Sequence, residues 1–217
     1  MKNLSLVFFL SITSLSFGQT KFNATLKKQL DSVYVLDQKF RQAMTEISNP
    51  AKRDSIAKSL SIPPEQLMGY FNSRQQPLDS VNMVFIEKIL NKYGYPGKSL
   101  VGMPTNEAAW NVIQHSPKIA QYLSVIEKAA KRDELPFNLY AIMLDRELMK
   151  QGKEQVYGSQ IMGKKMKNGQ FEMFVWPIKD PETVNERRKE AGFELTVEEN
   201  AKRLNTKYRI VKMDEVK

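Results

Sequence analysis

The sequence predicts a mainly α (α+β) fold, a helical domain carrying one small antiparallel β-hairpin near residues 155–176. Three observations predict it. Apolar residues recur at steps of three and four through most of residues 22–151, the spacing of amphipathic helices. The pattern then changes to rough alternation on either side of a polar tip ending in Asn168-Gly169, a hairpin signature. Helix start and stop residues punctuate the chain, and it holds no internal repeat or low-complexity linker.

The chain opens with Met1-Lys2-Asn3, an apolar run from Leu4 to Phe17 broken only by small hydroxyl residues, and Gly18-Gln19. A basic start, a short apolar run and a small-residue exit predict a signal peptide over residues 1–18, cleaved after Gly18. A spanning helix needs about 20 apolar residues, and this run is shorter; a permanent N-terminal anchor is the alternative reading. No cysteine follows the run, so it is not a lipoprotein signal. Export to the periplasm or the outside is therefore expected, with no permanent membrane span after cleavage.

The next stretch, residues 19–78, reads as an N-terminal helical region. Leu26, Leu30, Val33, Leu36, Phe40, Met44 and Ile47 mark one helix, stopped by Asn49-Pro50. A second runs from Ala51 to Leu60, and Pro64 opens a short third through Tyr70 and Phe71. Pro77-Leu78-Asp79 restarts the chain, with Val81, Val84, Phe85, Ile89 and Leu90 as a buried face ended by Gly94. A glycine-containing loop to Gly102 follows. Thr105 is expected to cap a helix ending at His115, Ser116-Pro117 to open the next to Lys131, and Pro136 one to Gln151. Gln155–Ile161 and Gln170–Trp176 are the expected hairpin strands. Asp180-Pro181 opens a helix to Ala191, Thr196 to Leu204 is a short last helix, and Tyr208–Val211 is either a strand or a free tail.

Cysteine is absent, so stability must come from packing, and thiol catalysis and thiolate metal sites are excluded. The 33 Lys and Arg against 24 Asp and Glu give a net charge of +9, which attracts polyanions. An exported chain rarely meets nucleic acid, which leaves a polar or anionic cell-envelope molecule as the expected partner. Scattered lysines that merely keep the protein soluble are the plainer reading. No glycine-rich phosphate loop, G-x-S-x-G elbow or glycosidase-type carboxylate spacing is present. With a single histidine, zinc sets built on two or three histidines are excluded, and no metal or cofactor is expected.

The polar residues that could carry chemistry are Trp110, Gln114, His115, Asp145, Arg146, Gln155, Tyr157 and Gln160. Trp110 and Gln114 share a helix face. His115 is the natural group for proton transfer near neutral pH, and Asp145 could fix its tautomer. Each has a structural counterpart: a histidine at a helix C-terminus satisfies carbonyls, and charges at Asp145 and Arg146 can simply face solvent.

Tyr93-Gly94-Tyr95-Pro96-Gly97-Lys98-Ser99-Leu100-Val101-Gly102, then Ala108-Ala109-Trp110 and Gln114-His115, form one half of an ordered motif set. Leu144-Asp145-Arg146, Gly152 to Gln160, Pro177-Ile178-Lys179-Asp180 and Asn185-Glu186-Arg187-Arg188 before Gly192 form the other. Together they resemble the bacterial proteins grouped as domain of unknown function 6624, over about residues 79–195. Ser159 stands where threonine is usual and Phe193 where leucine is usual. The resemblance implies a shared fold over residues 79–217 and a shared site, and supplies no reaction.

Three functions are compatible with these residues. In a binding module, Gln114, His115, Arg146, Gln155 and Gln160 line a polar pocket with Trp110 or Tyr157 as its wall. In an envelope-acting hydrolase or transferase, His115 is general base and Asp145 orients it. In a purely structural network, the same groups tie the hairpin to the helices.

Overall fold

The computed structural model describes residues 22–165 and 169–216. The expected signal peptide, residues 1–18, and the hairpin-tip residues 166–168 lie outside these. Helix α1 (Ala24–Glu46) starts where the Asn23 side chain accepts the Leu26 N–H at 2.9 Å. Its buried stripe is Leu26, Leu30, Val33 and Asp37, a regular run of steps of four and three. The expected Leu36 is 39% exposed, and Asp37 takes the interior position at 0%. The stripe continues with helical regularity through a carboxylate.

Helix α2 (Pro50–Leu60) is capped by Asn49, with Pro50 at its first position. A 3₁₀ turn, Pro64–Gln66, then leads directly into α3 (Leu67–Tyr93). The expected restart at Pro77 does not occur: Pro77 lies inside α3. The missing N–H and ring clash weaken a helix interior by about 3 kcal/mol. Burial on both sides of the proline offsets this, with Leu67, Phe71 and Gln75 before it and Asn82, Met83, Ile86 and Ile89 after it. One stripe therefore crosses Pro77, and it leaves Val81, expected inside, 67% exposed.

The expected loop after Gly94 contains a short α4 (Lys98–Val101). A Cβ at Gly97 would collide with the Glu134 side chain, whose carboxylate accepts the Ser99 N–H at 2.8 Å. Thr105 opens a 3₁₀ turn without capping it; its hydroxyl donates to Asp31 Oδ1 at 2.6 Å. Helices α5 (Ala108–Gln114), α6 (Ile119–Lys131) and α7 (Phe137–Lys150) follow, each close to its expected span. The main core gathers α1, α3, α5, α6 and α7 around Leu30, Ile86, Ile113, Ile126 and Met143.

The hairpin is antiparallel, as expected, but shifted. Its strands are β1 (Ile161–Lys165) and β2 (Phe171–Val175), with Ile161 opposite Val175. Residues 155–160 are not a strand; Gln155 makes one parallel bridge to Ile178. Helix α8 (Val184–Glu190) and α9 (Val197–Arg203) follow, the latter opened by a Thr196/Glu199 capping box. Val175, Ile178, Val184, Val197 and Ala201 pack these helices onto the hairpin. The tail forms no strand: Val211 and Val216, the latter on α10 (Met213–Val216), pack against Phe174 and Trp176. Among the described residues, no helix is long and apolar enough to cross a membrane.

Candidate functional site

Two neighbouring residues of α7 build the site in opposite ways. Successive helical positions point about 100° apart, so Asp145 and Arg146 face different surroundings. Asp145 is fully buried under the loop of residues 155–160. Its Oδ1 accepts the Val156 N–H at 2.7 Å and the Tyr157 N–H at 3.0 Å, and its Oδ2 the Ser159 N–H at 3.0 Å. A loop whose N–H groups turn inward is an anion cradle, and here the chain's own carboxylate fills it. Burial raises the Asp145 pKa above its ordinary value, and the three N–H bonds oppose that rise.

The cradle has a tight shape. Gly158 has φ +65°, and a Cβ there would lie 2.7 Å from Ile178 and 2.8 Å from Val197 side-chain atoms. Gln155, also fully buried, holds the loop ends: its amide nitrogen donates to Gln160 O at 3.0 Å and Trp176 O at 2.7 Å, and its oxygen accepts the Gln160 N–H at 2.9 Å. Consecutive arginines of α8 hold the outside. Arg187 Nε donates to Val156 O at 3.1 Å, and Arg188 Nη1 to Tyr157 O at 2.8 Å. Arg188 Nε donates to Leu195 O at 2.8 Å, and its guanidinium lies 4.4 Å from the Phe193 ring centre.

On the far side of this loop lies a cleft of about 500 Å³, within the usual range for small-molecule sites. Arg146, Arg188 and Arg203 line it from α7, α8 and α9, with Gln160, Asn138 and Asn200 as neutral polar groups. Ile142, Ile161, Phe193 and Leu204 supply apolar wall, and Glu194 is its one acidic residue. Arg146 Nη1 donates to Gln114 O at 3.1 Å, and its Nε contacts Gln160 Oε1 at 3.4 Å. Arg203 Nη2 donates to Asn200 Oδ1 at 2.8 Å. Among the described residues, none of these three arginines forms an ion pair. Burial lowers the pKa of Arg146, aided by nearby Arg41, and burial likewise lowers that of Arg188. Guanidinium groups nonetheless stay charged.

His115 is placed elsewhere. The expected pairing with Asp145 is not formed: Asp145 is engaged by the loop, and the carboxylate beside His115 belongs to Asp37. His115 Nδ1 lies 3.2 Å from Asp37 Oδ2, with the imidazole 21% exposed and the carboxylate buried. Gln38 Nε2 donates to Asp37 at 2.7 Å, and Arg41 approaches it at 3.6 Å while pairing with Asp79 at 2.6 Å. This polar seam joins α1, α3 and the end of α5. Among the described residues, no group of three His, Asp or Glu is placed to hold a metal.

Of the remaining candidates, Gln160 joins Arg146 in the cleft. Trp110 is buried on α5 and donates Nε1–H to Leu139 O at 2.8 Å. Gln114 reaches the cleft residues only through its carbonyl, since its amide lies 3.3 Å from Asn111 Oδ1. Tyr157 is half-buried, 6.0 Å from the Phe193 ring. Sequence reasoning missed Asp37, Arg188 and Arg203 as site residues. Asp37 had a signal, a charge standing in a regular apolar stripe; Arg203 had none.

No curated protein and no solved structure matches the chain. A family model matches residues 35–213, reaching beyond residues 79–195 on both sides and taking in about half of α1, all of α2 and all of α3. The chain belongs to the family of unknown function DUF6624.

Proposed function

We propose that this is an exported binding protein that captures a small anionic molecule of the cell envelope in the cleft between α7, α8 and α9. One observation carries the reading: three guanidinium groups from three helices face one cleft without a carboxylate partner. Cations that form no direct ion pair leave electrostatic attraction available to a ligand, although Asp145, Glu198 and Glu199 act on Arg188 at longer range. Asp145 and Gln155 serve the site by holding the loop that carries Ser159 and Gln160 into the cleft wall. The positive net charge of the chain would add long-range attraction for an anion.

Calorimetric titration with a panel of small organic anions tests this. Binding should weaken about tenfold or more in Arg203→Gln, since a charge-assisted hydrogen bond contributes about 1.5–3 kcal/mol. Arg203 is exposed, so its loss should leave the unfolding temperature nearly unchanged. Saturable binding that ignores Arg203→Gln and Arg146→Gln would place the ligand elsewhere.

A second reading rests on the His115–Asp37 pair. A buried carboxylate at Nδ1 of a partly exposed imidazole is the arrangement by which an acid orients a general base. In this reading the protein is an envelope-acting hydrolase or transferase, with Asp37 in the role expected of Asp145. Turnover of an envelope-derived ester that His115→Gln abolishes at unchanged stability would support it. Turnover unaffected by His115→Gln would remove it.

A further inference from the structure

Resting on the anion-binding reading, we infer that the cleft is built for a phosphoryl group attached to a largely apolar body, and not for a carboxylate. The inference comes from which N–H groups the arginines have left. A carboxylate is gripped best side-on, by Nε–H and one Nη–H of the same guanidinium. Nε carries a single hydrogen. In Arg188 it donates to Leu195 O at 2.8 Å, and in Arg146 it points to Gln160 Oε1 at 3.4 Å. The Nε–H of Arg146 and of Arg188 is therefore engaged by the protein itself, while exposed Arg203 keeps its own.

What remains is a set of donors on three separate helices, most of them on terminal nitrogens. Arg146 and Arg188 each also use Nη1, on Gln114 O and Tyr157 O. Each keeps an Nη2 with no partner among the described residues, on an Arg188 that is 2% exposed and a half-buried Arg146. Arg203 engages Nη2 with Asn200, which leaves its other nitrogens available. The free donors thus come from three helices, where a planar carboxylate offers two oxygens in one plane. A phosphoryl group offers three terminal oxygens arranged around a tetrahedral centre, each able to meet a different arginine.

Charge points the same way. Among the lining residues three arginines stand against Glu194, two positive charges in excess, with Asp145, Glu198 and Glu199 acting on Arg188 from outside the lining. A phosphate monoester carries about −1.5 to −2 at pH 7, so it neutralises that excess, while a carboxylate neutralises half of it. The cleft volume of about 500 Å³ and the walls of Ile142, Ile161, Phe193 and Leu204 leave room for an apolar body beside the anion.

The test is calorimetry on the purified chain with phenyl phosphate, inorganic phosphate and benzoate. Phenyl phosphate should bind at least tenfold tighter than benzoate and tighter than inorganic phosphate. Its affinity should rise from pH 5 to pH 7 as the second proton leaves the ligand at about pH 6. Arg203→Gln should cost about tenfold; this exposed position keeps the test usable if Arg146→Gln or Arg188→Gln impairs folding. Co-sedimentation with phosphatidic acid vesicles, set against phosphatidylcholine vesicles, separates the sources. Arg203-dependent retention on the former supports a lipid phosphoryl group, and retention on neither, with phenyl phosphate binding intact, supports a soluble monoester. Benzoate binding as tightly as phenyl phosphate overturns the inference while leaving anion binding in place. No binding of any of the three anions overturns both.

Discussion

Nδ1 of His115 lies 3.2 Å from Oδ2 of Asp37, tying the end of α5 to the middle of α1 across 78 positions of sequence. Asp37 has no exposed surface and also faces Gln38 and Arg41, so it is the node of the seam between α1, α3 and α5. Hydrogen bonds to a charged group contribute about 1.5–3 kcal/mol. Asp37→Ala should therefore lower stability by about that much in denaturant unfolding, with Asp37→Asn milder. A loss below about 1 kcal/mol, the value of an exposed pair, would show that the seam is not buried in solution.

Asp145 gives a pH signature. Burial raises its pKa in the folded chain above the ordinary 3.8. The folded state then holds that proton more tightly than the unfolded state, so this group's contribution is fully present below about 3.8 and is lost as pH rises through the folded value. Asp145→Asn removes the contribution. The stability gap between the native chain and Asp145→Asn should consequently widen as pH falls from 7 toward 4. Thermal unfolding across that range checks the sign; a gap that narrows would mean that the N–H cradle outweighs burial.

Pro77 offers a gain. It is exposed, inside α3, and deprives the helix of one backbone hydrogen bond. Pro77→Ala should raise stability by about 1–3 kcal/mol, reduced somewhat by the greater freedom of the unfolded chain. An unchanged or lower denaturant midpoint would indicate that the proline shapes the packing of α3 on α1.

These residues also show how far sequence reached. Thr196 acts on an N–H three positions on, so the helix start it sets was legible, while Asn49, read as a stop, also caps α2. Pro77 misled because its local effect is overridden by burial on α1 from both sides, which no local pattern records. Gln155–Gln160 alternates like a strand, yet its N–H groups go to Asp145 rather than to a neighbouring strand. The site was half legible for the same reason. Arg146 and Gln160 stood out as polar residues in the motif set, and both reach the cleft. Arg188 and Arg203 join them only because α8 and α9 fold back onto the hairpin core of Val175, Ile178 and Val197.

Anion binding in the cleft requires that Arg146, Arg188 and Arg203 act as one oxyanion site. Anomalous diffraction from crystals soaked in tungstate, a tetrahedral oxyanion with a strong signal, tests it most directly. A tungsten peak is expected in the cleft, with its oxygens within hydrogen-bond distance of all three guanidinium groups. An empty cleft alongside tungstate bound at other surface cations would contradict it.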